Sequence, residues 1–141
     1  MLVPIVTIAL NALLVFALGF WTSIQRSTGE KIIYNDAQLD PSSSLAKAQR
    51  AHGNASEYAG AITALFLLCM WLGTHGPIAG AMMIAITAAR CLHAFGALTC
   101  KTLDTPHWAK AVGALVTYIG GIALCLYVMW DAVTSSPPPS I

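Results

Sequence analysis

Residues 50–77, RAHGNASEYAGAITALFLLCMWLGTHGP, set Arg50, His52, Asn54 and Glu57 directly ahead of a long apolar run. At spacings of four and three residues, Arg50, Asn54 and Glu57 share one face of a helix, because seven residues make nearly two turns. His52 and Tyr58 lie to the sides of that face. The helix starts ahead of the stretch: Pro41 and Ser42-Ser43-Ser44 carry turn and N-cap chemistry, and Leu45 to Ala51 are mostly good helix formers. Thr74-His75-Gly76-Pro77 closes it as a tight turn, with Pro77 suited to the first turn of the next helix. A helix over about 44–74 therefore carries a polar face toward an apolar environment.

Three further apolar stretches flank this one, over about 2–25, 77–99 and 106–131. Leu2 to Ile24 holds no charge. It lacks the basic lead and small-residue cleavage site of a signal peptide and has the length of a membrane span, roughly 20 residues. The 141-residue chain is 57% apolar and 9% charged, against about 45–50% and about 25% in soluble domains. These features predict an all-α integral membrane protein, a single four-helix domain over 1–134. The tail 135–141, rich in Pro and Ser, is expected to be disordered.

Charge sets the expected orientation. Arg26, Lys31, Lys47 and Arg50 lie in or near the first connection, and Lys101 and Lys110 in or just after the third. The turn at Gly73–Pro77 and both termini have no Lys or Arg, so the positive-inside rule places connections 1 and 3 in the cytoplasm and both termini outside. A net charge of +1 gives no basic field for nucleic acid. The cysteines Cys69, Cys91, Cys100 and Cys125 show no metal-ligand spacing and read as packing residues, with Cys100 beside Lys101 the one plausible reactive setting. Small residues at helical spacing (Ala81, Ala85 and Ala89; Gly76 and Gly80; Gly113 and Gly120) predict close helix contacts in a compact bundle.

Within the third helix Arg90 interrupts an apolar segment, with His93 one turn on. An arginine at that depth costs several kcal/mol, on the order of 3, unless it is paired or wetted. Glu57 is predicted to lie at similar depth and to be its partner. Three readings follow. One is a structural clamp of Arg90 and Glu57 completed by Asn54 and His93. Another is a polar pocket in which Arg50 and Arg90 hold carboxylates, Glu57 an ammonium and Asn54 an amide. The third is a proton or ion pathway.

RAHGNASEY closely resembles the second-helix signature of the MAPEG family, the membrane-associated proteins in eicosanoid and glutathione metabolism. Arg50-Ala51-His52, Asn54 and Glu57-Tyr58 carry the match. Ala89-Arg90-Cys91-Leu92-His93-Ala94-Phe95-Gly96 is similar to the RxxHAxG pattern in the third helix of bacterial members. The resemblance implies a homotrimer, in a bacterial inner membrane, with glutathione as co-substrate in clefts between subunits that face the cytoplasm. It carries glutathione contact over to Arg50, Asn54, Glu57, Tyr58 and Arg90. His93 falls where leukotriene-forming relatives have a glutathione-contacting tyrosine. No metal is implied, and the second substrate would be lipophilic and arrive from the bilayer.

The sequence departs from the family near the start of the fourth helix. Active transferases place there an arginine that stabilises the glutathione thiolate, whereas residues 100–110, CKTLDTPHWAK, contain none. Lys101 and Lys110 are the candidates to supply that charge, as point charges without the arginine fork. Ala97 also stands where some relatives have a second tyrosine. The expected function is a membrane glutathione-binding protein acting as a transferase or peroxidase. The alternative is a non-catalytic bundle whose Arg/Asn/Glu cluster is a structural clamp.

Overall fold

The computed structural model describes residues 1–28 and 40–134; the tail expected to be disordered, and Lys31 in the first connection, lie outside the described residues. Among the described residues the regular elements are four α-helices: α1 (Leu2–Thr28), α2 (Ser44–Trp71), α3 (Pro77–Thr99) and α4 (Trp108–Thr134). The Ser43 hydroxyl caps α2 by accepting from the Ala46 N–H at 3.1 Å. At the other end Leu72 and Gly73 turn their N–H groups back on Leu68 and Met70, and Gly73 adopts φ +75, a left-handed geometry that favours glycine. α2 thus stops two residues before Gly73, and α3 restarts on Pro77.

α1, α3 and α4 are long and apolar enough to cross a membrane. α2 is as long, but Lys47, Arg50, Asn54 and Glu57 occupy its first half. It packs against α1 and α3, while α3 packs most extensively with α4 and α2 touches α4 only lightly. The bundle is therefore two tight helix pairs, α1–α2 and α3–α4, joined through α2 and α3.

The four tryptophans mark two levels. Trp21 and Trp108 lie at the end that bears the long connections, Trp71 and Trp130 at the end that bears the short turn, and all four are exposed. Trp108 and Trp130 are separated by roughly 33 Å along α4 at 1.5 Å per residue, close to the roughly 30 Å hydrocarbon core of a bilayer. Indole rings favour the membrane interface. Between those levels the outward surface carries Phe16, Ile84, Leu115, Ile119, Ile122 and Leu126. Composition, span lengths and these two girdles make it an all-α membrane protein.

Packing differs between the two halves of the bundle. Near the short-turn end, Ile62, Phe66, Cys69, Met83, Ile86, Leu124 and Val128 form a core of large side chains. Near the long-connection end the core is Leu18, Ala51, Ala55, Ala94 and Ala97. Small side chains bring the helices together there, and polar groups take up the remaining space.

The closest approach is between α3 and α4. A Cβ on Gly113 would lie 2.6 Å from the Ala89 carbonyl oxygen and 2.7 Å from the His93 nitrogen, and one on Gly96 would lie 2.6 Å from the Lys110 nitrogen. The two backbones touch reciprocally, as small-residue faces allow in lipid. Gly120 faces Ile86 on the same seam, as its spacing from Gly113 predicts. The alanine stripe of α3 does not pack as a unit: Ala89 is buried, but Ala81 and Ala85 face outward, because the inward stripe follows Ala79, Met83, Ile86 and Arg90. α1 is tied to α3 by Asn11, whose Nδ2 donates to the Thr87 hydroxyl at 2.8 Å.

Candidate functional site

Arg90 is 3% exposed, roughly 15 Å in from the long-connection end of α3. Its Nη2 donates twice to one residue, at 2.8 Å to the Asn54 carbonyl oxygen and at 2.7 Å to Asn54 Oδ1. The guanidinium lies over the Tyr58 ring, with Cζ 4.7 Å from the centroid, a distance at which a cation is attracted to the ring face. Nε and Nη1 donate to no described residue.

The expected Arg90–Glu57 pair does not form. Glu57 is exposed, acts on Arg90 only through its field, and makes no hydrogen bond to it. Helix geometry explains this. At about 100° per residue, Arg50, Asn54 and Glu57 share an arc. The inward stripe of α2, however, is centred on Ala51, Ala55 and Ile62. Asn54 sits at the border of that stripe and is buried; Arg50 and Glu57 sit beyond it and are exposed. The spacing groups the three side chains correctly but does not say which edge of the group faces α3.

A second polar feature adjoins this one. Arg50, His93, Ala97, Leu103 and Lys110 line a cavity of about 270 Å³. His93 Nδ1 pairs with the Lys110 carbonyl oxygen at 2.9 Å, bridging α3 to α4. Lys110 Nζ donates to the carbonyl oxygens of Leu103 and Thr105, at 3.2 and 3.1 Å, so it braces the α3–α4 connection. The Leu103 N–H in turn donates to the Pro41 carbonyl oxygen at 3.0 Å and fastens that connection to the entry of α2. Arg90, Arg50 and Lys110 all exert their charge on the His93 ring. Three cations within electrostatic reach of one imidazole suit an anionic ligand.

Other residues singled out by sequence lie apart. Lys101 is exposed at the end of α3 and does not line the cavity. His52 packs on α1, where a Cβ on Gly19 would come within 3.1 Å of its Nε2. Cys100 is buried and its thiol donates to the Ala97 carbonyl oxygen at 3.2 Å, so it is not an open nucleophile. Among the described residues no group of three His, Cys, Asp or Glu side chains comes together to hold a metal.

Tyr118 is the polar residue that the sequence reading missed. The Tyr58 hydroxyl donates to the Tyr118 hydroxyl at 3.2 Å, and their ring centroids are 5.9 Å apart. α2 and α4 both run inward from the long-connection end, so Tyr58 and Tyr118 reach similar depths. That equality of depth was the available signal.

The family model described as the MAPEG family matches residues 4–130. No curated protein and no solved structure matches the chain.

Proposed function

Since this chain belongs to the MAPEG family, we propose that it binds glutathione in a polar site around Arg90 and conjugates it to a lipophilic electrophile, or uses it to reduce a lipid hydroperoxide. The observation that carries this reading is the state of Arg90. A cation buried in the bundle is expensive unless compensated. Asn54 orients it without neutralising it, and an unneutralised buried cation suits an anionic ligand. Glutathione offers two carboxylates, one ammonium and two amides. Arg50 and Arg90 would take the carboxylates, Glu57 the ammonium, Asn54 and Tyr58 the amide region, and His93 the wall.

Lys110 is the stronger candidate for stabilising the thiolate, because it lines the cavity with Arg50 and His93. A thiol of pKa about 8.5 becomes available at neutral pH when a cation stabilises its anion. The finer assembly belongs to the same proposal: a homotrimer of four-span subunits in a bacterial inner membrane, with both termini outside and connections 1 and 3 cytoplasmic.

Calorimetry with glutathione in detergent tests the binding claim. Wild type is expected to bind, and Arg50→Ala and Glu57→Ala to bind more weakly; no binding by wild type, or binding unchanged from wild type in both variants, overturns it. The two hydrogen bonds from Arg90 to Asn54 favour a second reading, the structural clamp. On that reading Arg90→Ala disperses the bundle and no thiol alters stability.

A further inference from the structure

Between α2 and α4 runs a groove of about 440 Å³, lined by Ile62, Leu65, Phe66, Ile122 and Leu126 among others. Its polar groups are few: the hydroxyls of Tyr58, Tyr118 and Thr117 and the thiol of Cys125. The Thr117 hydroxyl is turned back on its own helix, donating to the Gly113 carbonyl oxygen at 2.7 Å. The tyrosine pair is thus the one place along this groove where a hydroxyl is directed at a neighbouring element. Tyr118 is 48% exposed, accepts from Tyr58, and its own O–H donates to no described residue.

The order of these groups matters. Arg90 lies against the Tyr58 ring and draws electron density from it, which strengthens the Tyr58 O–H as a donor. Donation into Tyr118 polarises that hydroxyl in turn, since hydrogen bonds in series reinforce one another at low dielectric. The chain ends in a free O–H at the head of an apolar groove.

Resting on the glutathione reading above, with the glutathione cysteine beside Tyr58 and Lys110 acting on its thiol only through its field, we propose that Tyr118 determines substrate choice. The groove takes a lipophilic electrophile whose reacting carbon is conjugated to a carbonyl, and Tyr118 donates a hydrogen bond to the carbonyl oxygen. In such an addition the glutathione sulfur loses its proton to solvent and forms a bond to the β-carbon. The C=C π pair moves toward the carbonyl oxygen, which bears the developing negative charge. A solvent proton then forms the new C–H bond at the α-carbon, so no oxidant or reductant is required. A donor fixed at the oxygen stabilises charge where it accumulates. An alkyl or benzyl halide, whose leaving group departs as halide, has no use for that donor.

The test compares wild type with Tyr118→Phe, using glutathione with nonenal and with benzyl chloride. Glutathione affinity and benzyl chloride kcat/KM are expected to stay within about twofold, while nonenal kcat/KM falls about a hundredfold, the lower range for losing a donor to an oxyanion. An unchanged nonenal rate, an equal fall for both substrates, or a wild type that binds glutathione and conjugates neither probe overturns the assignment of Tyr118. A wild type that binds no glutathione overturns the underlying reading as well, so the two failures are told apart by calorimetry.

Discussion

Arg90 and Asn54 are joined by two hydrogen bonds through a single nitrogen, one to the backbone of α2 and one to the side chain. The cation is thereby fixed in place between two helices while its charge stays unbalanced. Asn54→Asp separates orientation from neutralisation. A carboxylate at this position accepts the same hydrogen bond and supplies the missing counter-charge, so the thermal midpoint in detergent is expected to hold or rise. Glutathione affinity should fall at least about tenfold, near 1.4 kcal/mol. Affinity equal to wild type would show that the Arg90 charge is not what recruits the ligand.

Asn54→Ala leaves Arg90 one carbonyl acceptor and removes the other. Loss of a hydrogen bond to a charged group is worth about 1.5–3 kcal/mol, and a destabilisation of that order is expected by chemical unfolding in micelles. A change below about 0.5 kcal/mol, the level of a neutral surface substitution, would mean that water replaces the side chain without cost.

Gly113→Ala should be among the most damaging single-methyl additions in the chain. Both atoms nearest the added Cβ are backbone, on a helix that cannot yield locally. A penalty of about 1–3 kcal/mol is expected from overpacking, with loss of the His93–Lys110 bridge. Gly121→Ala, where a Cβ meets nothing within 4 Å, is the control and should hold stability or raise it by up to about 1 kcal/mol, the helix-propensity gain of alanine over glycine. Equal effects at both positions would contradict the seam.

Lys110 and Lys101 should separate cleanly. Lys110→Met removes the brace on the Leu103 and Thr105 carbonyls and a cation of the cavity, so both turnover and protection of the α3–α4 connection from hydrogen exchange should drop. Lys101→Ala should leave both unchanged. If Lys101→Ala abolishes conjugation while Lys110→Met spares it, the thiolate is activated from outside the cavity.

Asp40 gives a pH signature at the entry to α2. Its carboxylate accepts from the Ser42 N–H at 2.8 Å and the Ser42 hydroxyl at 2.7 Å, which hold it below the usual carboxylate range of about 3.9. Its folded pKa is depressed, so its contribution is present above the unfolded value and is lost as pH falls through the folded one. An NMR titration should place it low, and Ser42→Ala should move it only part of the way back because the backbone donor remains. An unshifted wild-type carboxyl would rule out the turn.

Much of this architecture was legible in the sequence. Four apolar stretches and the turn at Gly73–Pro77 carry the helix order, and the glycines of α4 mark the seam with α3. Arg90 announced itself as a buried cation needing a partner. The partner was misread, because Glu57 attracts more strongly on paper than Asn54. Periodicity alone does not locate the border of the inward face, and one residue of offset, about 100°, decides which polar side chain is enclosed. Tyr118 was missed for a related reason: its role depends on Tyr58, at equal depth on a helix with which α4 makes little other contact.

The tryptophan girdles have a mechanical consequence. α4 is held at both rims and cannot shorten, and the glycine seam makes α3 follow it. A thinner bilayer must then be met by tilting this pair as a rigid plate, against an α1–α2 pair that touches α4 only lightly. The hinge line of that motion is the α2–α3 contact, about which the groove between α2 and α4 opens or closes, so lipid chain length becomes a dial on its width. Vesicles of short-chain and long-chain lipid should therefore give different activity from the same protein at the same glutathione concentration.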